Sequence, residues 1–145
     1  MKKLLSIITF LFVLTTQSYS QNCNPNKYND GMMIKEYEAE YNYKAEEAYL
    51  FGKKIQKLLL NKDLKGFIDV TTGDLKIDLE KRFKEIQSLE AFFSPDALNK
   101  ITKGEVYCTP MGISGVKAFW IGFSDLVYTT REDKWLILTY ESGIF

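Results

Sequence analysis

The chain has 145 residues, with 19 basic side chains balanced by 19 acidic ones and no histidine. A near-neutral surface offers no electrostatic footprint for nucleic acid or an anionic membrane. The missing histidine removes Ser-His-Asp and Cys-His catalysis, imidazole acid–base chemistry and imidazole-ligated metals.

Residues 1–20 read as a secretory signal peptide. Lys2 and Lys3 form a positive head, and an apolar run follows from Leu4 to Leu14. Ser18 and Ser20 place small residues three and one positions before a cut at Gln21. The run is shorter than the ~20 apolar residues a membrane span needs. The expectation is therefore export to the periplasm or beyond, with no stable membrane span. A lipid anchor at Cys23 fits poorly, because Gln21 and Asn22 stand where a lipoprotein signal carries small residues. Cleavage removes two lysines and no acid, leaving a slightly acidic mature chain of single-domain size.

Both cysteines survive the cut. In an oxidising compartment Cys23 and Cys108 read as one disulfide. It closes a long loop, which the chain-entropy account values at about 4–5 kcal/mol at most. It ties the N-terminal arm, residues 21–32, to the region around Cys108. That arm is rich in Asn and carries Pro25 and the Asp30-Gly31 pair, so it reads as loop.

From residue 33 to 145 the sequence reads as one domain. Ile34, Tyr37, Tyr41, Ala45, Ala48, Ile55 and Leu59 recur at helical spacing, with Asn42 and Gly52 as points of bend or break. Asn61-Lys62-Asp63 ends that periodicity, and Asp63 is placed to cap a short helix through Leu64, Phe67 and Ile68. Residues 71–74 form a turn cluster. Leu75, Ile77 and Leu79 alternate with charges and predict a short strand. Phe83, Ile86 and Leu89 return to helical spacing. Ser94-Pro95 marks the start of another helix, running to about Ile101. The remainder predicts strands over 105–108, 116–121, 123–129 and 134–140, with a loop over 109–115 and a polar hairpin turn at 130–133. Helices followed by an antiparallel meander make the class α+β, with N-terminal helices packed on a curved antiparallel sheet.

That order of parts has a familiar look. An Asn-Lys-Asp hinge precedes Leu64-Lys65-Gly66-Phe67, then come Phe92-Phe93-Ser94-Pro95-Asp96-Ala97-Leu98, paired strands, and a closing Lys134-Trp135-Leu136-Ile137. Over residues 33–140 the chain resembles the NTF2-like (cystatin-like) cone fold, in particular small exported bacterial members. Those relatives often carry a Gly-x-Gly-x-x-Trp-Phe strand. Here Gly115-Val116-Lys117-Ala118-Phe119-Trp120 keeps the aromatic pair in another arrangement. The resemblance implies a concave sheet face, where some enzymes of the fold place an Asp and Tyr pair.

No cofactor motif accompanies this. Tyr28 blocks a calcium-loop reading of residues 26–31, and Val116 breaks a nucleophile elbow at 112–116. Two distant cysteines make no zinc knuckle. Asp125 and Tyr128 are three apart on one predicted strand and so face opposite sides unless a bulge intervenes. Glu105 and Tyr107 share a face. The aromatic residues favour binding instead. Tyr43 lies off the apolar stripe, and Tyr49, Tyr107, Trp120 and Trp135 join it as candidate contact residues. Tyr37 and Tyr41 fit the stripe and read as core. Two expectations follow. One is an exported non-enzymatic protein of the cell envelope that recognises a protein or peptide, of inhibitor or immunity type by analogy. The other is a small-ligand pocket lined by Trp120, Trp135 and helix tyrosines, with weak acid–base catalysis by Asp125. An exposed aromatic patch marks the first and an enclosed cavity the second.

Overall fold

The structure, a computed structural model, describes residues 34–113, 116–122, 125–141 and 143, with backbone alone at 111–113 and 116. The expected signal peptide, the expected arm and Cys23 lie outside the described residues, as does the start of the strand expected at Phe123.

The first helical stretch breaks where Asn42 stands. Helix α1 (Ile34–Tyr41) and helix α2 (Ala45–Leu60) meet at an elbow in which Asn42 has φ +48°. Asparagine tolerates that left-handed conformation better than most residues. Lys44 gives α2 no side-chain cap, so Glu38 of α1 supplies one: its Oε1 accepts from Ala45 N at 2.8 Å. Gly52, the other weak spot, stays helical. A Cβ there would overlap Val106 Cγ1 and stand 2.9 Å from Tyr128 Oη. The glycine thus lets α2 approach the sheet side of the molecule closely.

Helix α2 closes in a left-handed turn. Lys62 has φ +56°, Lys62 N donates to Leu59 O and Asp63 N to Leu58 O. This is the Schellman pattern, with lysine where glycine is usual. Asp63 then caps helix α3 (Leu64–Asp69), accepting from Gly66 N at 2.9 Å as the sequence implied.

The strand expected over Leu75, Ile77 and Leu79 does not form. These residues belong to helix α4 (Gly73–Glu85). Leu75, Leu79 and Phe83 are four apart and share a helical face; Leu79 is 1% exposed while Ile77 is 65% exposed. The alternation was three apolar residues of which one has no partner. The helix ends at Glu85, so Ile86 falls outside it and is exposed. A 3-10 turn (Leu89–Ala91) follows, held where Arg82 Nη2 donates to Ala91 O at 2.6 Å and its guanidinium lies 4.7 Å from the Phe92 ring centre. Helix α5 (Pro95–Lys103) starts as expected, with Ser94 Oγ accepting from Ala97 N.

Among the described residues four strands complete the domain in the order β1 (Met111–Ile113), β2 (Val116–Ile121), β3 (Leu126–Arg131), β4 (Lys134–Tyr140), all antiparallel. The three longer ones form the meander. The expected strand over 105–108 contracts to one bridge, Val106 to Ile121, flanked by Tyr107 N to Trp120 O and Gly122 N to Glu105 O. Pairing along β2 lapses through Pro110, which has no N–H to donate, and resumes as β1 inside the expected loop. Strand β3 begins later than expected, at Leu126. Glu132 and Asp133, both at positive φ, make the two-residue turn between Arg131 and Lys134. A bulge shifts the β3–β4 register between Val127 and Tyr128. Residues 70–72 pair beside β4 in parallel: Ile137 N donates to Val70 O and Thr72 N to Ile137 O.

The observed class is α+β, with helices packed on an antiparallel sheet. Two aromatic clusters join the layers. Phe51, Phe119, Tyr128 and Trp135 pack with centroid separations of 5.1–6.0 Å. Phe67, Phe93 and Tyr140 pack near the other end of β4. The Tyr128 hydroxyl is buried and donates to Ala48 O at 2.9 Å, with Tyr107 O at 3.2 Å.

Candidate functional site

The elbow between α1 and α2 stands over the β3–β4 hairpin end, and an open groove of about 510 Å³ lies between them. One wall is helical: Lys35, Glu38, Ala39 and Asn42 from α1 and the elbow, and Lys44 and Glu47 from the start of α2. The facing side is Thr130, Asp133 and Trp135. Tyr43 completes the lining.

Each wall is held by a specific contact. Glu38 is committed to the α2 N-terminus, which fixes the elbow angle. Lys117 of β2 donates from Nζ to Asn42 O at 3.2 Å, tying the elbow to the sheet. Trp135 is half-buried; its indole stacks on Phe51 and meets Phe119 edge-on at 5.1 Å. The indole is therefore a rigid floor rather than a free side chain. Tyr43 is only 7% exposed, its ring lies 5.0 Å from that of Phe119, and its hydroxyl donates to Cys108 O at 2.9 Å. Burial foremost, then the charge of Glu38 and the neighbouring Tyr37, pushes its hydroxyl well above the ordinary phenol range. Tyr43 is thus a neutral donor across the working pH range.

The groove offers two ammoniums, three carboxylates, a carboxamide and an indole face. These groups bind and orient through charge and stacking. Among the described residues no cluster of Cys, Asp or Glu is arranged to hold a metal ion, and no helix is long and apolar enough to cross a membrane.

The sequence candidates separate in space. Trp135 and Tyr43 come together at the groove. Tyr43, expected as an exposed interface anchor, instead has its ring buried in the core while also lining the groove. Tyr49 lies half-buried on α2 against the core. Tyr107 contributes its backbone, donating to Trp120 O and accepting from Tyr128. Trp120 pairs opposite Val127, and Phe119 beside it turns to the other face of β2 to meet Tyr128 and Trp135. Trp120 and Trp135 therefore do not line one pocket. Asp125 precedes β3, whereas the groove lies at that strand's far end, about 16 Å away at 3.3 Å per residue. It takes no part in the groove. Cys108 is fully buried in the core; Cys23 is not among the described residues.

Sequence reasoning missed Lys35, Glu38, Asn42, Lys44, Glu47, Thr130 and Asp133. The available signals were the helix break at Asn42 and the polar turn at 130–133. Nothing in linear spacing brings those two breaks face to face.

Searches against protein-family models, curated proteins and solved structures return no match for the chain.

Proposed function

We propose that this chain is an exported, non-enzymatic binding protein of the cell envelope that recognises a protein or peptide partner, built on an NTF2-like framework. The observation that carries the reading is the groove: open to solvent, floored by a rigid Trp135 and walled by alternating ammonium and carboxylate groups. Tryptophan in such a setting is the usual energetic anchor of an interface, and mixed charges set its specificity. An inhibitor or immunity-type role suits a small exported binder, by analogy only. Within this reading Cys23 and Cys108 form a disulfide that fastens the arm near the buried Cys108, whose carbonyl already anchors Tyr43.

Affinity capture from envelope extract tests the proposal. Trp135→Ala and the charge reversals Lys44→Glu and Glu47→Lys should each weaken capture of a specific protein at least tenfold. Tyr43→Ala is the wrong probe, since it would excavate the core. No captured protein, or capture indifferent to all three variants, contradicts the proposal.

A second reading rests on size. The groove volume falls within the ~300–1,000 Å³ of small-molecule sites. A small molecule retained in native mass spectra of the wild type and lost on Trp135→Ala would favour it. Acid–base catalysis by Asp125 would have to occur at the other end of the sheet.

A further inference from the structure

We propose that the hairpin end of β4's outer edge, at Trp135, takes an extended segment of the partner as an added strand; this rests on the protein-recognition reading above. The argument starts from register. In a two-residue hairpin the flanking pair, Arg131 and Lys134, exchange ladder hydrogen bonds. Pairs then alternate, so Thr130–Trp135 is a pair without ladder bonds and Thr129–Leu136 is one with them. The backbone N–H and C=O of Trp135 therefore point away from β3, out of the sheet. The next residue in that phase, Ile137, shows what this edge does when chain is available. It bonds residues 70–72 through both groups, Ile137 N to Val70 O at 2.8 Å and Thr72 N to Ile137 O at 3.2 Å.

That intramolecular strand stops short of Trp135. Residue 69 ends α3, and α3 leaves toward the other end of β4, where Phe67 meets Tyr140 at 5.5 Å. Helix α4 goes the same way: the charges of Asp78 and Arg82 both act on Tyr140. Among the described residues, the edge is thus bonded at Ile137, and no backbone hydrogen bond from outside the sheet reaches 134–136. An exposed edge is a template for strand addition, and pockets for alternate side chains supply its specificity. Trp135 provides both elements. Its backbone offers the pairing groups, and its indole floors the groove beside Glu47 and Asp133. The segment it suits is short and extended, placed end to end with residues 70–72, with one apolar side chain over the indole.

A phage-displayed library of random linear dodecapeptides, panned on the purified protein, supplies the probe. Residue-resolved amide hydrogen exchange then reads the edge with and without a selected synthetic peptide. In the free protein the Trp135 amide should exchange at least tenfold faster than the Leu136 amide. At saturating peptide the Trp135 amide should slow at least tenfold, with Leu136 changing less than twofold. A Trp135 amide already as protected as Leu136 in the free protein overturns the proposal. Peptides that bind while leaving the Trp135 amide unchanged overturn strand addition but leave peptide recognition standing. Failure to enrich any peptide overturns strand addition, and the capture experiment above then decides the recognition reading separately.

Discussion

Replacing Gly52 by alanine sets two effects against each other, and the structure decides the sign. Helix propensity alone favours alanine by about 1 kcal/mol in a helix interior. Here the new methyl would overlap Val106 Cγ1 and stand 2.9 Å from Tyr128 Oη. Val106 is buried and β-branched, so it has little rotamer freedom to yield. Overpacking of this kind costs about 1–3 kcal/mol. Displacing the Tyr128 hydroxyl from Ala48 O and Tyr107 O adds roughly 1–2 kcal/mol. The net expectation is destabilisation by about 1–4 kcal/mol, or a Tm lower by roughly 3–5 °C per kcal/mol at this chain length. Urea unfolding followed by tryptophan fluorescence measures it. The Gly52→Ala/Val106→Ala double variant supplies the control: removing the obstructing methyls should recover at least about 1 kcal/mol relative to additivity. A Gly52→Ala protein as stable as wild type, or additive behaviour in the pair, refutes the close-approach argument. The consequence reaches the groove, because adjacent Phe51 is one of the rings that brace the Trp135 indole.

Tyr128→Phe should lose about 1–3 kcal/mol in the same urea assay, since buried carbonyls lose a donor; no loss would mean that hydroxyl is idle. Asp63→Ala should cost about 1 kcal/mol by removing the α3 cap, and Lys62→Gly should gain up to about 1 kcal/mol by relieving a left-handed lysine. Stability should fall as pH rises beyond about 10. Burial pushes Tyr140 up to about 12 and raises Tyr43 and Tyr128 as well, so the folded state holds those protons longer than the unfolded chain. The contribution is complete below the unfolded phenol range near 10 and disappears as pH climbs toward the folded values; urea midpoints unchanged between pH 8 and 11 would contradict this. Non-reducing intact mass with thiol labelling should find no free thiol in protein recovered from an oxidising compartment; two labelled thiols exclude the Cys23–Cys108 link.

Local chemistry was legible in the sequence and long-range geometry was not. Asp63, Ser94 and Pro95 act within three residues of themselves, so their capping roles followed from residue type. The span of β4 and the break at Asn42 were equally local. The strand over Leu75–Ile77–Leu79 failed because period two and period four share positions 75 and 79, and only burial of a partner face distinguishes them. The edge over 105–113 was misdivided because β2 dictates where it pairs. The site was half legible. Trp135 stood out by type, yet its companions are ordinary charged residues made neighbours by an elbow and a hairpin far apart in the chain. Tyr43 misled, since lying off the helical stripe came from the elbow's change of direction rather than from exposure.

The most direct test of the binding account is the comparison of wild type with Trp135→Ala in affinity capture from envelope extract, with a cooperative urea transition in each to show that both proteins are folded. The account predicts one specific protein retained by wild type and depleted at least tenfold by the variant. Equal retention by both proteins, or no retention by either, would contradict it.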